Sequence, residues 1–269
     1  MQTKNSNSEP LSFMWEHLTW PEIKNRLKTI DMAILPCGAI EQHGPHLPVD
    51  IDYFDANHLA IEVAKACSDP KPFVLPPIPF GVSYHHEDFK GTISVSNESL
   101  SRFVYDIGMS LAQNGIKKLL ILNGHGDNAP TLNFAAQMIN RDAHIFVCVD
   151  TGETSDEDIY RLTDTPNDIH AGEIETSTTL AIRPDMVKMD KAVDEILQFG
   201  SSYMDFTSAN GLPWYVRTHK ISKSGVMGAP SQATAKKGQQ MWDIMVDHLV
   251  KFIEDIKSSK LEDMHQRKY

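Results

Sequence analysis

The sequence predicts an α/β protein built on a mainly parallel sheet with helices on both faces. Apolar runs of strand length recur at 32–38 (MAILPCG), 117–124 (KKLLILNG) and 143–150 (AHIFVCVD). Amphipathic segments with helical spacing separate them. Strands that alternate with helices in this way form parallel sheets joined by crossover helices.

Residues 1–14 are polar and are expected to be loose. PEIKNRLKTI (21–30) reads as a short helix with Pro21 at its first position, where the missing N–H costs nothing. MAILPCG ends at a turn signal and reads as a buried strand. Over 52–67, Ala56, Leu59, Ala60, Val63, Ala64 and Cys67 share one helical face. FVLPPIPFG (73–81) is broken by prolines, so it is an edge or irregular strand. Over 97–113, Leu100, Phe103, Val104, Ile107 and Leu111 share a face. After the second strand, Asn128 can cap a helix over 129–140 with Pro130 in its first turn. A helix runs from about Gly172 to Ile182 and is stopped by Pro184. The last long helix spans about 233–257, with Met241, Met245, Leu249, Phe252 and Ile256 on one face. There is no internal repeat, and residues 1–269 read as a single domain.

The chain is 41% hydrophobic and 23% charged, ordinary values for a globular protein large enough to bury its own core. Its net charge is −11 with no Lys/Arg cluster, which argues against nucleic acid and anionic membranes as partners. No apolar run approaches the ~18 residues of a membrane span, and the first residues lack a signal peptide's apolar stretch. Cys37, Cys67 and Cys148 are too few and too scattered for a disulfide framework or a CxxC zinc site. Cys67 and Cys148 read as small core fillers. These features favour the cytoplasm.

The chemistry gathers on loops that leave the carboxyl ends of strands, where such sheets bind ligands. Glu41 and His43 alternate on an extended stretch, so both can face one site, and Asp52 returns nine residues later. Carboxylate and imidazole are the usual ligands of zinc, manganese and iron. Asp52 also opens a helix and could merely cap it. His43 and His46 could be a satisfied buried histidine and an exposed one. In NGHGDN (123–128), His125 falls at a strand end. Asp127 could serve a second metal or cap the next helix. In DIHAGEIETS (168–177), His170 precedes a helix whose first turn holds Glu173 and Glu175. The dipole explains one of these acids comfortably, whereas Glu175 leads into an apolar-leaning run. The loop SYHHEDFKGT (83–92) could line a pocket or be merely exposed.

A competing pattern is Gly124-x-Gly126-x-x-Ala129, which follows a strand and opens a helix as a dinucleotide fingerprint does, with Asp150 ending the next strand. It leaves Glu41, His43 and Asp52 unexplained. The glycines serve equally to let backbone pass close to a metal site.

PCGAIEQHGPHLPVDID, FKGTIS, NGHGDN and HAGEIETS occur in the order found in the creatininase (creatinine amidohydrolase) family, which the chain resembles over residues 36–177. The resemblance implies a single three-layer α/β/α sandwich, assembled as a homo-oligomer, usually a hexamer. It implies two divalent ions, zinc together with manganese, zinc or iron. Glu41, His43, Asp52 and His125 match the metal ligands, with Asp52 as the bridge and Glu41 at the reacting centre. Asp127 or Glu175 supplies the remaining carboxylate, and His170 matches the catalytic histidine. Ser83, His86 and Gly126 fall where substrate binds. Gly126 and Pro166 replace a Tyr and a Trp that pack on the substrate ring in creatininase. The expected substrate is therefore a different small amide, lactam or formamide. The expected reaction is attack of a metal-activated water on the amide carbonyl, with His170 as proton carrier. No GxSxG nucleophile motif is present. Two other readings stand beside this one: a dinucleotide-dependent oxidoreductase, and a non-catalytic metal-binding protein of the same fold.

Overall fold

A computed structural model describes residues 13–205, 211–212 and 214–264. Four parallel strands form the sheet: β1 (Met32–Cys37), β2 (Phe73–Val74), β3 (Lys118–Asn123) and β4 (Phe146–Asp150), in the order β2-β1-β3-β4. β1 and β3 pair along their whole length, Met32 with Lys118 through Cys37 with Asn123, and every residue of both is buried.

The helices are α1 (Trp20–Arg26), α2 (Ile51–Ala66), α3 (Asn97–Asn114), α4 (Ala129–Ala143), α5 (Asp156–Tyr160), α6 (Glu173–Ile182), α7 (Ala235–Ser258) and α8 (Leu261–Met264). Strand order dictates the layers. The connection from β1 to β2 runs one way along the sheet, while those from β2 to β3 and from β3 to β4 run the other. Right-handed crossovers then put α2 on one face and α3 with α4 on the opposite face. α3 indeed packs on α4, and α2 on α7, which also carries α6. The result is the expected three-layer α/β/α sandwich. Among the described residues no helix is long and apolar enough to cross a membrane.

Several expectations are corrected. Phe13 and Met14 are buried in the core, and Met14 bridges to Val74, so these two do not belong to a loose segment. Residues 1–12 lie outside the described residues. α1 begins at Trp20, because Thr19 and Glu22 form a capping box. Residues 73–81 give a strand of only two residues, since Pro76, Pro77 and Pro79 cannot donate to a ladder. β4 starts at Phe146 because the preceding helix runs to Ala143 and His144 turns left-handed at φ 47°. Phe103, expected on the buried face of α3, is 55% exposed. α5 was not expected. Asn128 caps nothing: its side-chain oxygen accepts from the Val82 N–H (2.8 Å), and its amide donates to the Gly38 carbonyl (3.0 Å).

The strand order also places the site. The connections leave β1 and β3 in opposite directions, so a crevice opens between their carboxyl ends. The loop 38–50 and the turn 124–128 both start there.

Candidate metal centre

Two glycines seat the first turn of α2 in that crevice. A Cβ on Gly38 would lie 2.4 Å from the Tyr53 Cα, and one on Gly124 would lie 2.5 Å from the Asp52 carbonyl oxygen. Only bare backbone lets both strand ends approach so closely. Asp50 occupies the N-cap position, so Asp52 stands one residue inside the helix with its side chain turned into the crevice. The capping reading of Asp52 fails. One carboxylate oxygen is 3.1 Å from His43 Nε2 and the other is 3.1 Å from His125 Nδ1. Glu41 reaches the same spot, its Oε2 3.6 Å from His125 Nε2 and its Oε1 3.5 Å from both His170 Nδ1 and His86 Nε2. Glu175 Oε1 lies 3.6 Å from His43 Nε2, and Glu175 Oε2 accepts the Ala171 N–H.

Hydrogen bonds assign the ring tautomers. His43 Nδ1 donates to the Glu41 carbonyl (3.1 Å), His125 Nε2 to the Val82 carbonyl (2.8 Å) and His170 Nε2 to the Gln42 carbonyl (2.7 Å). Each ring therefore turns its other nitrogen toward a carboxylate. A lone pair facing an anionic oxygen at this range is repulsive unless a proton or a cation lies between. Glu41 Oε2, His43 Nε2 and Asp52 Oδ2 are buried with no hydrogen-bond partner among the described residues. Metal-binding histidines typically give their second N–H to a backbone carbonyl in this way. Ligand atoms of Glu41, Asp52 and His125 lie within 4.8 Å of one another, as do those of His43, His170 and Glu175. The donor set of carboxylate oxygens and imidazole nitrogens suits zinc, manganese or iron. The residues fit a divalent metal.

Their electrostatics agree. Burial pushes the Glu41 carboxyl up to about 6, against the pull of His125. Burial would raise Asp52 too, but His43 and His125 hold it far below the carboxylate range. Burial works against a charge on His125, yet Glu41 and Asp52 lift it to about 10, and Asp52 with Glu175 likewise lifts His43. Protons on His43 and His125 thus balance the carboxylates where a cation would. His170 differs: burial, together with His43, pushes it down to about 3, so its ring is neutral near pH 7.

The remaining expected residues are placed as follows. Asp127 stands apart, half-exposed and bonded to His85 Nδ1 at 2.9 Å. Ser83 is buried with its hydroxyl 3.4 Å from His125 Nε2. His86 is fully buried, while Glu87, Asp88, Lys90 and Gly91 of the same segment are exposed, so the loop divides between the two readings. His46 is buried as well, contrary to the exposed reading, with Nε2 2.9 Å from the Thr176 hydroxyl. Gly126 faces open space. Glu173 is buried in a structural role, accepting from Thr165 and Lys237. Gly124, the first glycine of the dinucleotide pattern, is required by the Asp52 carbonyl.

Sequence reasoning missed Gln42 and Asp168. Gln42 sits between two candidate ligands in the same motif and packs against His86 and His170. Asp168 accepts the N–H groups of Glu173 (2.7 Å) and Ile174 (2.9 Å), closing the turn that carries His170. Its two-residue spacing from His170 was the available signal. Two clefts of about 350 and 320 Å³ meet at Gly124, His125, Gly126, Ile169, His170 and Glu175. Trp214 and Tyr215 wall one of them; Asp55, Asp150, Tyr160 and Trp242 wall the other.

The Creatininase family profile, described as creatinine amidohydrolase, matches residues 16–253. The mycofactocin precursor peptide peptidase of Mycobacterium ulcerans is 33% identical over 243 residues, covering 86% of this chain and 84% of its own. The 3-dehydro-scyllo-inosose hydrolase of Thermotoga maritima is 29% identical over 271 residues, covering 92% and 84%. A crystal structure of creatinine amidohydrolase (creatininase) superposes with a TM-score of 0.80 at 25% identity, covering 93% of this chain and all of that one. With its crevice, its ligand-competent cluster and a profile match spanning most of its length, the chain belongs to the creatininase family of metal-dependent amidohydrolases.

Proposed function

We propose that this protein hydrolyses the C–N bond of a linear amide at a centre for two divalent ions. The observation that carries this reading is the set of imidazole nitrogens turned onto buried carboxylates, with a proton or a cation needed between them. Glu41, Asp52 and His125 would hold one ion. His43 and Glu175 would hold the second, with Asp52 shared between them. Glu175 is preferred to Asp127 because its carboxylate faces His43, whereas Asp127 is taken up by His85. Zinc is the favoured metal, with manganese or iron possible at one position. Such ions supply Lewis acidity, which acidifies a water and polarises a carbonyl.

The chain's own groups do the rest. His170 presents a neutral, unprotonated Nδ1 to the junction of the clefts. There it takes a proton from the attacking water and hands it to the leaving nitrogen. Asp168 and the bonded pair His170–Met227 hold that ring in place. Cys37 is no nucleophile: it is buried, and burial pushes its thiol up to about 12.

Two clefts meeting at the reacting groups favour an amide with a substituent on each side over a small ring such as creatinine. Gly126 offers no surface on which a ring could pack. The peptidase name of the mycobacterial relative agrees with this substrate class. A cytoplasmic setting and a homo-hexamer complete the proposal, supported by composition and by family resemblance.

The test is an activity screen of zinc- and manganese-loaded protein against linear amides, small peptides, lactams and formamides, read by amine release. Turnover is expected with linear amides. Silence across the whole panel, with both ions bound, would favour a non-catalytic metal-binding protein.

A further inference from the structure

His86 meets the distance criterion for a metal ligand. With Glu41 and His170 it forms a triad whose ligand atoms lie within 4.8 Å, and it is fully buried. Its other nitrogen decides otherwise. The Gln42 side-chain oxygen accepts the Gly44 N–H at 2.9 Å, so the remaining terminal atom is the NH2 group. The Gly225 carbonyl accepts one of its hydrogens at 3.0 Å; His170 Nε2, 3.1 Å away, is itself a donor to the Gln42 backbone carbonyl, so the other hydrogen goes to His86 Nδ1 at 2.7 Å. A ring nitrogen that accepts carries no proton, so the single proton of a neutral ring sits on Nε2. The clamp on Gln42 is tight: a Cβ on Gly225, which has φ +86°, would fall 2.0 Å from the Gln42 side-chain oxygen. His43, His125 and His170 differ, each donating outward to a backbone carbonyl and turning its other nitrogen toward a carboxylate.

We propose that Gln42 locks His86 as the Nε2–H tautomer, making it a hydrogen-bond donor that positions Glu41 rather than a ligand. His86 Nε2 has no hydrogen-bond partner among the described residues, and Glu41 Oε1 is 3.5 Å from it. A small movement of that carboxylate closes the bond. Oε1 is then held back by His86, and Oε2 is left to work with Asp52 and His125. His86 lines neither cleft, so it acts through Glu41 and does not touch substrate. Its ring stacks on that of His170, 4.4 Å away between centroids. The role of Glu41 as a ligand rests on the proposed function; the tautomer does not.

The test is nitrogen-15 NMR of the imidazole rings in the full chain, zinc-loaded and zinc-free, with His86 assigned through His86→Gln. The expected spectrum shows His86 protonated on Nε2 in both forms, its Nδ1 bare. A zinc-ligated Nε2 with the proton on Nδ1 overturns the proposal. Gln42→Glu, which can only accept, should move the proton to Nδ1; an unchanged spectrum in folded protein refutes the lock. Metal analysis provides a second readout. His86→Ala should keep the wild-type ion count while His125→Ala loses at least one ion; equal loss contradicts the proposal. Turnover of His86→Ala should fall about 10- to 100-fold, with partial recovery in His86→Gln, which retains a donor. If no form takes up metal, the metal reading fails, and the zinc-free spectrum still decides the tautomer.

Discussion

Asp52 stands in the first turn of α2, where the helix dipole favours any carboxylate, yet both its oxygens face imidazoles at 3.1 Å. Asp52→Ala should therefore lower metal content by at least one ion per chain, whereas a lost cap would cost only about 0.5–2 kcal/mol and no metal. Elemental analysis beside a urea titration separates the two. Glu175→Gln should likewise lose an ion while Asp127→Asn keeps the full count. His170→Ala should retain both ions and lose roughly 10²-fold or more in turnover. His46 gives a pH prediction. Burial, partly opposed by Glu175, pushes it down to about 4 from its ordinary 6.5. Below pH 6.5 the unfolded chain takes up a proton that the folded chain refuses. This contribution is therefore fully present above pH 6.5 and is lost as pH falls toward 4. Urea midpoints should drop over that window in the wild type and drop less in His46→Gln. At this scale the sequence revealed which residue types gather on which loops. It could not choose between Asp127 and Glu175, because the neighbours on which the proposed choice of Glu175 rests, His85 and His43, are brought to them only by the fold.

The elements explain why the candidate ligands converge at all. β1 and β3 are central neighbours whose connections diverge, so the loops after them share one crevice. Their alternation with amphipathic helices was legible because buried parallel strands are continuous apolar runs. The two-residue β2 was legible only in part. Its prolines signalled a broken strand, while its pairing with β1 depends on contacts distant in sequence. Phe103 shows the limit of helical periodicity, which marks the direction of a face and not how far the neighbouring layer covers it. Gly124 was ambiguous in the sequence, since a dinucleotide turn and a close helix approach both call for glycine. The structure supplies the reason in the Asp52 carbonyl. Gly124→Ala should then destabilise the fold by about 1–3 kcal/mol, as overpacking does, and weaken metal binding by displacing Asp52. Urea unfolding with and without zinc checks both effects; an alanine variant with unchanged midpoint and affinity would contradict this account of the turn.

For the molecule as a whole, net charge and cluster point the same way. A chain of net charge −11 also buries Glu41 and Asp52 in a cluster whose charge needs protons or cations to balance it. Metal bound to the folded state alone adds about 2.7 kcal/mol of stability at a free concentration one hundred times Kd. Chelation should accordingly lower the thermal midpoint, and zinc should restore it. Exposed Phe80, Ile93 and Phe103 offer apolar surface that the proposed hexamer could bury, which light scattering in solution would test. The most direct test of the central claim is elemental analysis of protein purified without chelator. About two divalent ions per chain are expected. Folded protein that contains none, and takes up none on dialysis against zinc or manganese, would contradict it.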